Sequence, residues 1–136
     1  TPTYAGTCAF PQGQVTISAV NGHFHSRGAR FRVYSWDGAS TSTPPASEQF
    51  YESLVWDDPP METGLDLLSE PNSGIWWTCE YQWIEPEVGC TAVNQSDPQG
   101  ANDCCYTFGG RVETNEHCNV FLYYYPKVQG TDVFCN

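Results

Sequence analysis

Alternation of apolar and polar residues dominates the chain. From Gln14 to Val20, the apolar Val15, Ile17 and Ala19 alternate with Thr16 and Ser18, the period of two that puts one set of side chains on a buried strand face. Asn21-Gly22 follows, and this dipeptide is a strong hairpin-turn signal. Ala29 to Trp36 alternates Phe31 and Val33 against Arg30 and Arg32, and Asp37-Gly38 closes it. Two strands around a turn are expected, and the stretch before Gly28 could join the pairing.

One segment breaks that period. After Pro44-Pro45, the residues Phe50, Tyr51, Leu54 and Val55 recur as on a single helical face, with Ser47 placed to cap and Glu48 near the positive end of the dipole. Asp57-Asp58-Pro59-Pro60 would end this helix, because a residue before proline avoids helical angles. Met61 to Glu70 shows neither period clearly and is expected to be loop or a short turn of helix.

Strand character returns at Gly74 to Glu85. Ile75, Trp77, Cys79, Tyr81 and Trp83 form its expected core face, and Trp76, Thr78, Glu80, Gln82 and Ile84 the other. Cys104 to Val112 predicts another strand, broken by Gly109-Gly110. Val120 to Tyr125 is apolar or aromatic on both parities, so a central strand covered on both sides is expected, with Phe121 and Tyr123 in the core. Val128 to Phe134 should pair with it. The whole predicts a mainly β, disulfide-stabilised single domain over residues 1–136, an antiparallel β-sandwich or β-barrel with one short α-helix.

Composition narrows the function. With 16 Asp+Glu against 5 Lys+Arg, the net charge of −11 would repel phosphate backbones, so no nucleic-acid partner is expected. No apolar run approaches the roughly 18 residues of a membrane span. Hydrophobic residues at 40% are too many for a disordered chain. Seven cysteines without CxxC pairs point to disulfides and an oxidising compartment. Thr1 in place of an initiator Met suggests a removed secretion signal, and Asn94-Gln95-Ser96 is a glycosylation sequon, so a secreted, extracellular location is expected.

The cysteines leave their pairing open. Adjacent Cys104 and Cys105 seldom bond to each other and should take different partners. Cys79 and Cys90 lie at a natural distance for stapling a hairpin across Glu85-Pro86-Glu87, and Cys118 and Cys135 flank the last two strands. An odd count leaves one thiol over. Cys8 is the candidate free or intermolecular thiol, which would make a homodimer; the alternative is that Cys8 staples the amino terminus to Cys135 and the spare thiol is buried elsewhere.

Charge is segregated as well. From Val33 to Gly110 there is no Lys or Arg, while 13 of the 16 acids fall there. A solvated acidic surface is the simplest account. Glu48, Glu52, Asp57, Asp58 and Glu62 form the densest patch, which would orient a cationic partner. The patch lacks the spaced ligands of a calcium loop.

Several residues invite chemistry. His23 and His25 flank Phe24 and would share a strand face, as some metal sites require, and His117 could be a third ligand. His117 has no spacing relation to the other two, so partly exposed polar histidines are expected, with no metal and no cofactor. No nucleophile elbow or zincin motif occurs. Glu80 with Glu85, Glu113 with Glu116, or a set of His23, His25, Glu52 and Arg30 can be named for hydrolysis without being distinguished, and no catalytic residue is assigned. Trp76 falls off the core parity, and Trp36 shares a face with Arg30 and Arg32; aromatics so placed could stack on a sugar or anchor a protein, or be covered by the helix or by an arginine in a cation-π contact.

In its processed start, Cys8 ahead of the Gln14 to Val20 strand, and Cys79 and Cys90 late in a β-rich chain, the sequence resembles small cysteine-rich secreted fungal proteins, apoplastic effectors and β-barrel allergens of the Alt a 1 type. It departs from them in the Cys104-Cys105 doublet, the seven cysteines and the acidic insert around Pro44 to Pro60. The resemblance implies a non-enzymatic extracellular effector or virulence-type factor that binds a host protein or glycan. The alternative is a small secreted hydrolase of carbohydrate or RNA using two carboxylates or a His/carboxylate pair.

Overall fold

The strand periods of the sequence organise two antiparallel sheets. The structure, a computed structural model, describes residues 3–10, 13–82, 107–108, 115–127 and 135. Its elements are β1 (Thr3–Ala9), β2 (Val15–Phe24), β3 (Gly28–Trp36), a 3₁₀ turn (Ala46–Glu48), β4 (Gln49–Ser53), β5 (Met61–Ser69), β6 (Gly74–Tyr81), β7 (Thr107–Phe108), β8 (Asn115–Glu116) and β9 (Cys118–Tyr125). The larger sheet runs β1-β6-β3-β4 and the smaller β5-β2-β9, while β7 and β8 form a short parallel pair. Among the described residues no pairing closes the two sheets into a barrel, and the arrangement is that of a sandwich.

The core lies between the sheets. Val15, Ile17, Val20 and Phe24 of β2 meet Phe31 and Val33 of β3, Tyr51 of β4, and Ile75, Trp77 and Cys79 of β6. Burying each large apolar side chain contributes roughly 1.5–3 kcal/mol. Ile17 and Val20 are three apart yet both face inward, because a register shift between Ile17 and Ala19 changes the phase of the strand.

Several expectations need correction. Asn21-Gly22 is no turn: both residues lie inside β2, and Gly22 sits so close to the larger sheet that a Cβ would stand 2.6 Å from the Phe31 ring. The chain reverses at 25–27, where the Gly28 N–H donates to the His25 carbonyl at 2.8 Å. The expected helix is a 3₁₀ turn with no side-chain cap, followed by β4. So short a helix is marginal alone, whereas β4 gains a ladder on β3 and buries Tyr51, whose hydroxyl donates to the Pro60 carbonyl at 2.7 Å. Leu54 and Val55 are exposed. Among the described residues Met61 to Ser69 is an edge strand, with Leu65 and Leu67 packed on the core.

The ends of the chain differ from expectation too. Thr3–Ala9, ahead of the first clear strand signal, is itself a strand on β6. β9 is not central: it pairs with β2 alone among the described residues, so Phe121 and Tyr123, expected in the core, stand exposed. Cys8 is bonded to Cys135, the alternative expected for it, and is not a free thiol, and Cys79 is bonded to Cys118 rather than Cys90, with Cα separations of 5.4 and 5.9 Å. The second bond joins β6 of one sheet to β9 of the other, since Cys79 points into the core. These disulfides are compatible with an extracellular protein. Cys90, Cys104, Cys105, Asn94, Trp83 and the expected strand Val128 to Phe134 lie outside the described residues. No described helix is long and apolar enough to cross a membrane.

Replacing both Cys79 and Cys118 by Ala should lower stability by about 3–4 kcal/mol, the value for a closed loop of this size, read from the denaturant midpoint of otherwise oxidised protein. Gly22→Ala should cost about 1–3 kcal/mol, because the Phe31 ring must shift to admit the methyl group. Loss of only a few tenths would contradict the close approach at Gly22.

Candidate functional site

The predicted binding residues Trp36, Trp76, Arg30, Arg32 and Glu52 do gather on one surface, the outer face of the larger sheet. There they satisfy one another. Arg30 pairs with Glu52 at 3.7 Å, and Arg32 with Glu80. Trp36 and Trp76 meet edge to face with ring centroids 6.3 Å apart, and both are half-buried. Asp57 and Asp58 are exposed in the connection between β4 and β5 and take part in no ion pair among the described residues. Arg30 and Glu52 pair with each other on this face, whereas His23 and His25 gather with His117, so the hydrolytic set of His23, His25, Glu52 and Arg30 does not assemble.

The smaller sheet presents a different outer face. Paired residues of an antiparallel ladder share a face, and the register builds three rows: Met61-Asn21-Phe121, Thr63-Ala19-Tyr123 and Leu68-Thr16-Tyr125. No charged residue stands in them. Phe121, Tyr123 and Tyr125 are 53%, 57% and 53% exposed, and Met61 and Leu68 are exposed too. Successive rings along β9 are two residues apart, about 6.5–7 Å for a strand. The sequence concealed this row because the inward set, Val120, Leu122 and Tyr124, is equally apolar.

At one end of this face the three histidines meet. His23 pairs opposite Asn119 and Phe24 opposite Cys118, so β9 brings His117 beside His25. The His25 and His117 rings stack at 4.2 Å, and His23 meets them edge-on at 5.0 and 5.3 Å. The Nε2 atoms of His23 and His25 are 3.2 Å apart. One ring nitrogen from each residue falls in a set no wider than 4.8 Å. His25 is buried, against the expectation of an exposed histidine, and His23 is half-buried. Burial, and then the neighbouring His25, holds the His23 imidazole below its usual pKa.

The cluster sits on a rigid frame. Glu116 accepts the backbone N–H groups of His25 and Arg27 at 3.2 and 3.0 Å and lies 3.7 Å from the Arg27 guanidinium. Burial pushes its carboxyl upward, against the pull of those donors and charges. The Tyr81 hydroxyl donates to the His117 carbonyl at 2.7 Å, and burial keeps that phenol protonated. The Trp77 indole donates to the Cys118 carbonyl at 3.0 Å.

Toward the other end of β2 lies an open cleft of about 450 Å³, lined by Trp36, Asp37, Ser40, Glu48, Leu67 and Glu70 among others. Its rim is fixed by Asp37, whose carboxylate accepts the N–H groups of Ala39 and Ser40 at 2.9 and 2.7 Å and the Ser40 hydroxyl at 2.5 Å. No protein-family model matches the chain, and no curated protein or solved structure matches it.

The Ser40 hydroxyl and the two N–H groups pull Asp37 down from 3.8 to about 2. A carboxyl depressed on folding stabilises the turn fully above its unfolded value and loses that contribution as pH falls through its folded one. An NMR titration should therefore place the Asp37 midpoint near 2, and Ser40→Ala should move it upward. A normal midpoint in the unaltered protein would mean the turn does not hold in solution.

Proposed function

We propose that the protein is a secreted, non-enzymatic binding protein of the effector type that docks a neutral host glycan on the outer face of its smaller sheet. The observation that carries this reading is the row of exposed rings at Phe121, Tyr123 and Tyr125. A rigid strand repeats an apolar ring surface at even spacing, which suits a polymer that repeats its own ring faces. Thr16, Asn21 and Thr63 stand among the rings and offer hydroxyl and amide groups to sugar hydroxyls.

Electrostatics favours a neutral partner. The rows hold no fixed charge to pair with a charged ligand, and the net charge of −11 opposes both acidic partners and a second copy of the chain. The two disulfides support the extracellular location. Arg30 and Arg32, on the outer face of the larger sheet, are paired with Glu52 and Glu80.

The test is co-sedimentation with insoluble neutral polysaccharides, chitin, cellulose and β-glucan. At least one should deplete the protein from solution. Phe121→Ala or Tyr123→Ala should weaken binding at least about tenfold, or about 1.4 kcal/mol, and Trp36→Ala should leave it unchanged. No depletion, or depletion that survives both β9 substitutions, removes this reading.

A further inference from the structure

We infer that His23, His25 and His117 bind one divalent first-row transition ion of the zinc and copper class. Donor chemistry selects that class. Three imidazoles suit these borderline ions, whereas calcium and magnesium require oxygen ligands. Among the described residues the neighbouring sulfur atoms, those of Cys79 and Cys118, are spent in a disulfide, so the donors described are nitrogens.

Spacing agrees with that chemistry. A tetrahedral ion with metal–nitrogen bonds of about 2.0–2.1 Å holds its donors about 3.3–3.4 Å apart. The Nε2 atoms of His23 and His25 already stand 3.2 Å apart. The whole donor set spans at most 4.8 Å, so closure asks the third ring to move in by no more than about 1.5 Å. A side-chain rotation covers such a distance without moving either strand.

The frame around the rings resembles the support that metal ligands receive, where outer partners fix the orientation of the inner ones. His25 is held through its backbone N–H by Glu116, and His117 through its carbonyl by Tyr81. Cys118, next to His117, is tied to the opposite sheet by its disulfide and by the Trp77 indole. Both segments of the site are therefore positioned before an ion arrives, and little ordering entropy opposes binding.

Access is also present. His25 is buried, while His23 is half-buried and lies on the outer face, with its ring 6.4 Å from that of Phe121. Three protein donors leave a fourth position for water or an incoming ligand atom. That position belongs to the same end of the sheet as the aromatic row. The ion site stands on its own geometry and does not require that the row bind glycan.

The experiment uses the full oxidised chain, first stripped with a chelator. Titration calorimetry with Zn²⁺ should show one ion per chain, Co²⁺ should develop the visible absorption of a tetrahedral site, and Cu²⁺ should bind in the presence of excess glycine if copper is preferred. His23→Gln and His117→Gln should each weaken binding by more than the 10- to 100-fold that loss of an outer partner costs, roughly. Because His23 is half-buried, His23→Gln should keep the thermal midpoint of the stripped protein, and Tyr123→Ala should keep ion binding intact. Binding of none of the three ions, or binding unchanged in both histidine variants, would overturn the assignment.

Discussion

The register of β9 on β2 is the constraint from which the rest of the surface follows. Strand side chains repeat every two residues, so a slip of one would send Val120, Leu122 and Tyr124 to solvent and the exposed rings inward. Both sets are large and apolar, and hydrophobicity alone would tolerate either choice. What breaks the tie is the crosslink from Cys118 to Cys79, reinforced by the hydrogen bonds of Trp77 and Tyr81 to the carbonyls of Cys118 and His117. Those contacts fix the first residues of β9, and the parity of every later residue is then set.

The sequence was most legible where one face alone is apolar. In β3 Arg30 and Arg32 mark the outer side and in β6 Glu80 does; β3 lies where alternation puts it, and β6 begins at the expected Gly74 and ends at Tyr81. Legibility failed where a residue has two physical uses. Asn-Gly is a turn signal because glycine adopts unusual angles, but Gly22 is needed for its missing side chain. Phe50, Tyr51, Leu54 and Val55 match a helical face as well as a strand, and only the ladder from β3 decides. Long-range facts were beyond reach: Cys79 finds Cys118 across 39 positions, and His117 joins His23 and His25 through a register that no local spacing encodes.

Acidity finds a structural explanation. Among the described strands β5 is an edge, and open edges invite pairing with other chains. Glu62 and Asp66 line it and Gly64 adopts a positive φ of 69°, so charge and irregular backbone guard an otherwise exposed ladder. On the larger sheet Glu52 and Glu80 neutralise Arg30 and Arg32. Part of the acid-rich stretch thus serves the edge and the ion pairs.

The histidine cluster and the aromatic row share two strands but depend on them differently. The row needs only that β9 keep its parity, which the disulfide enforces globally by restricting the unfolded chain. The cluster needs the last pairs of β2 and β9 and the contacts just beyond them, where Glu116 holds the His25 N–H and Tyr81 the His117 carbonyl. An ion bridging His23 and His25 to His117 would add a link across the end of the ladder, one residue beyond the crosslink at Cys118. Ion binding would therefore steady the end of the face nearest Phe121 while leaving the stability of the whole fold mainly to the core and its disulfides.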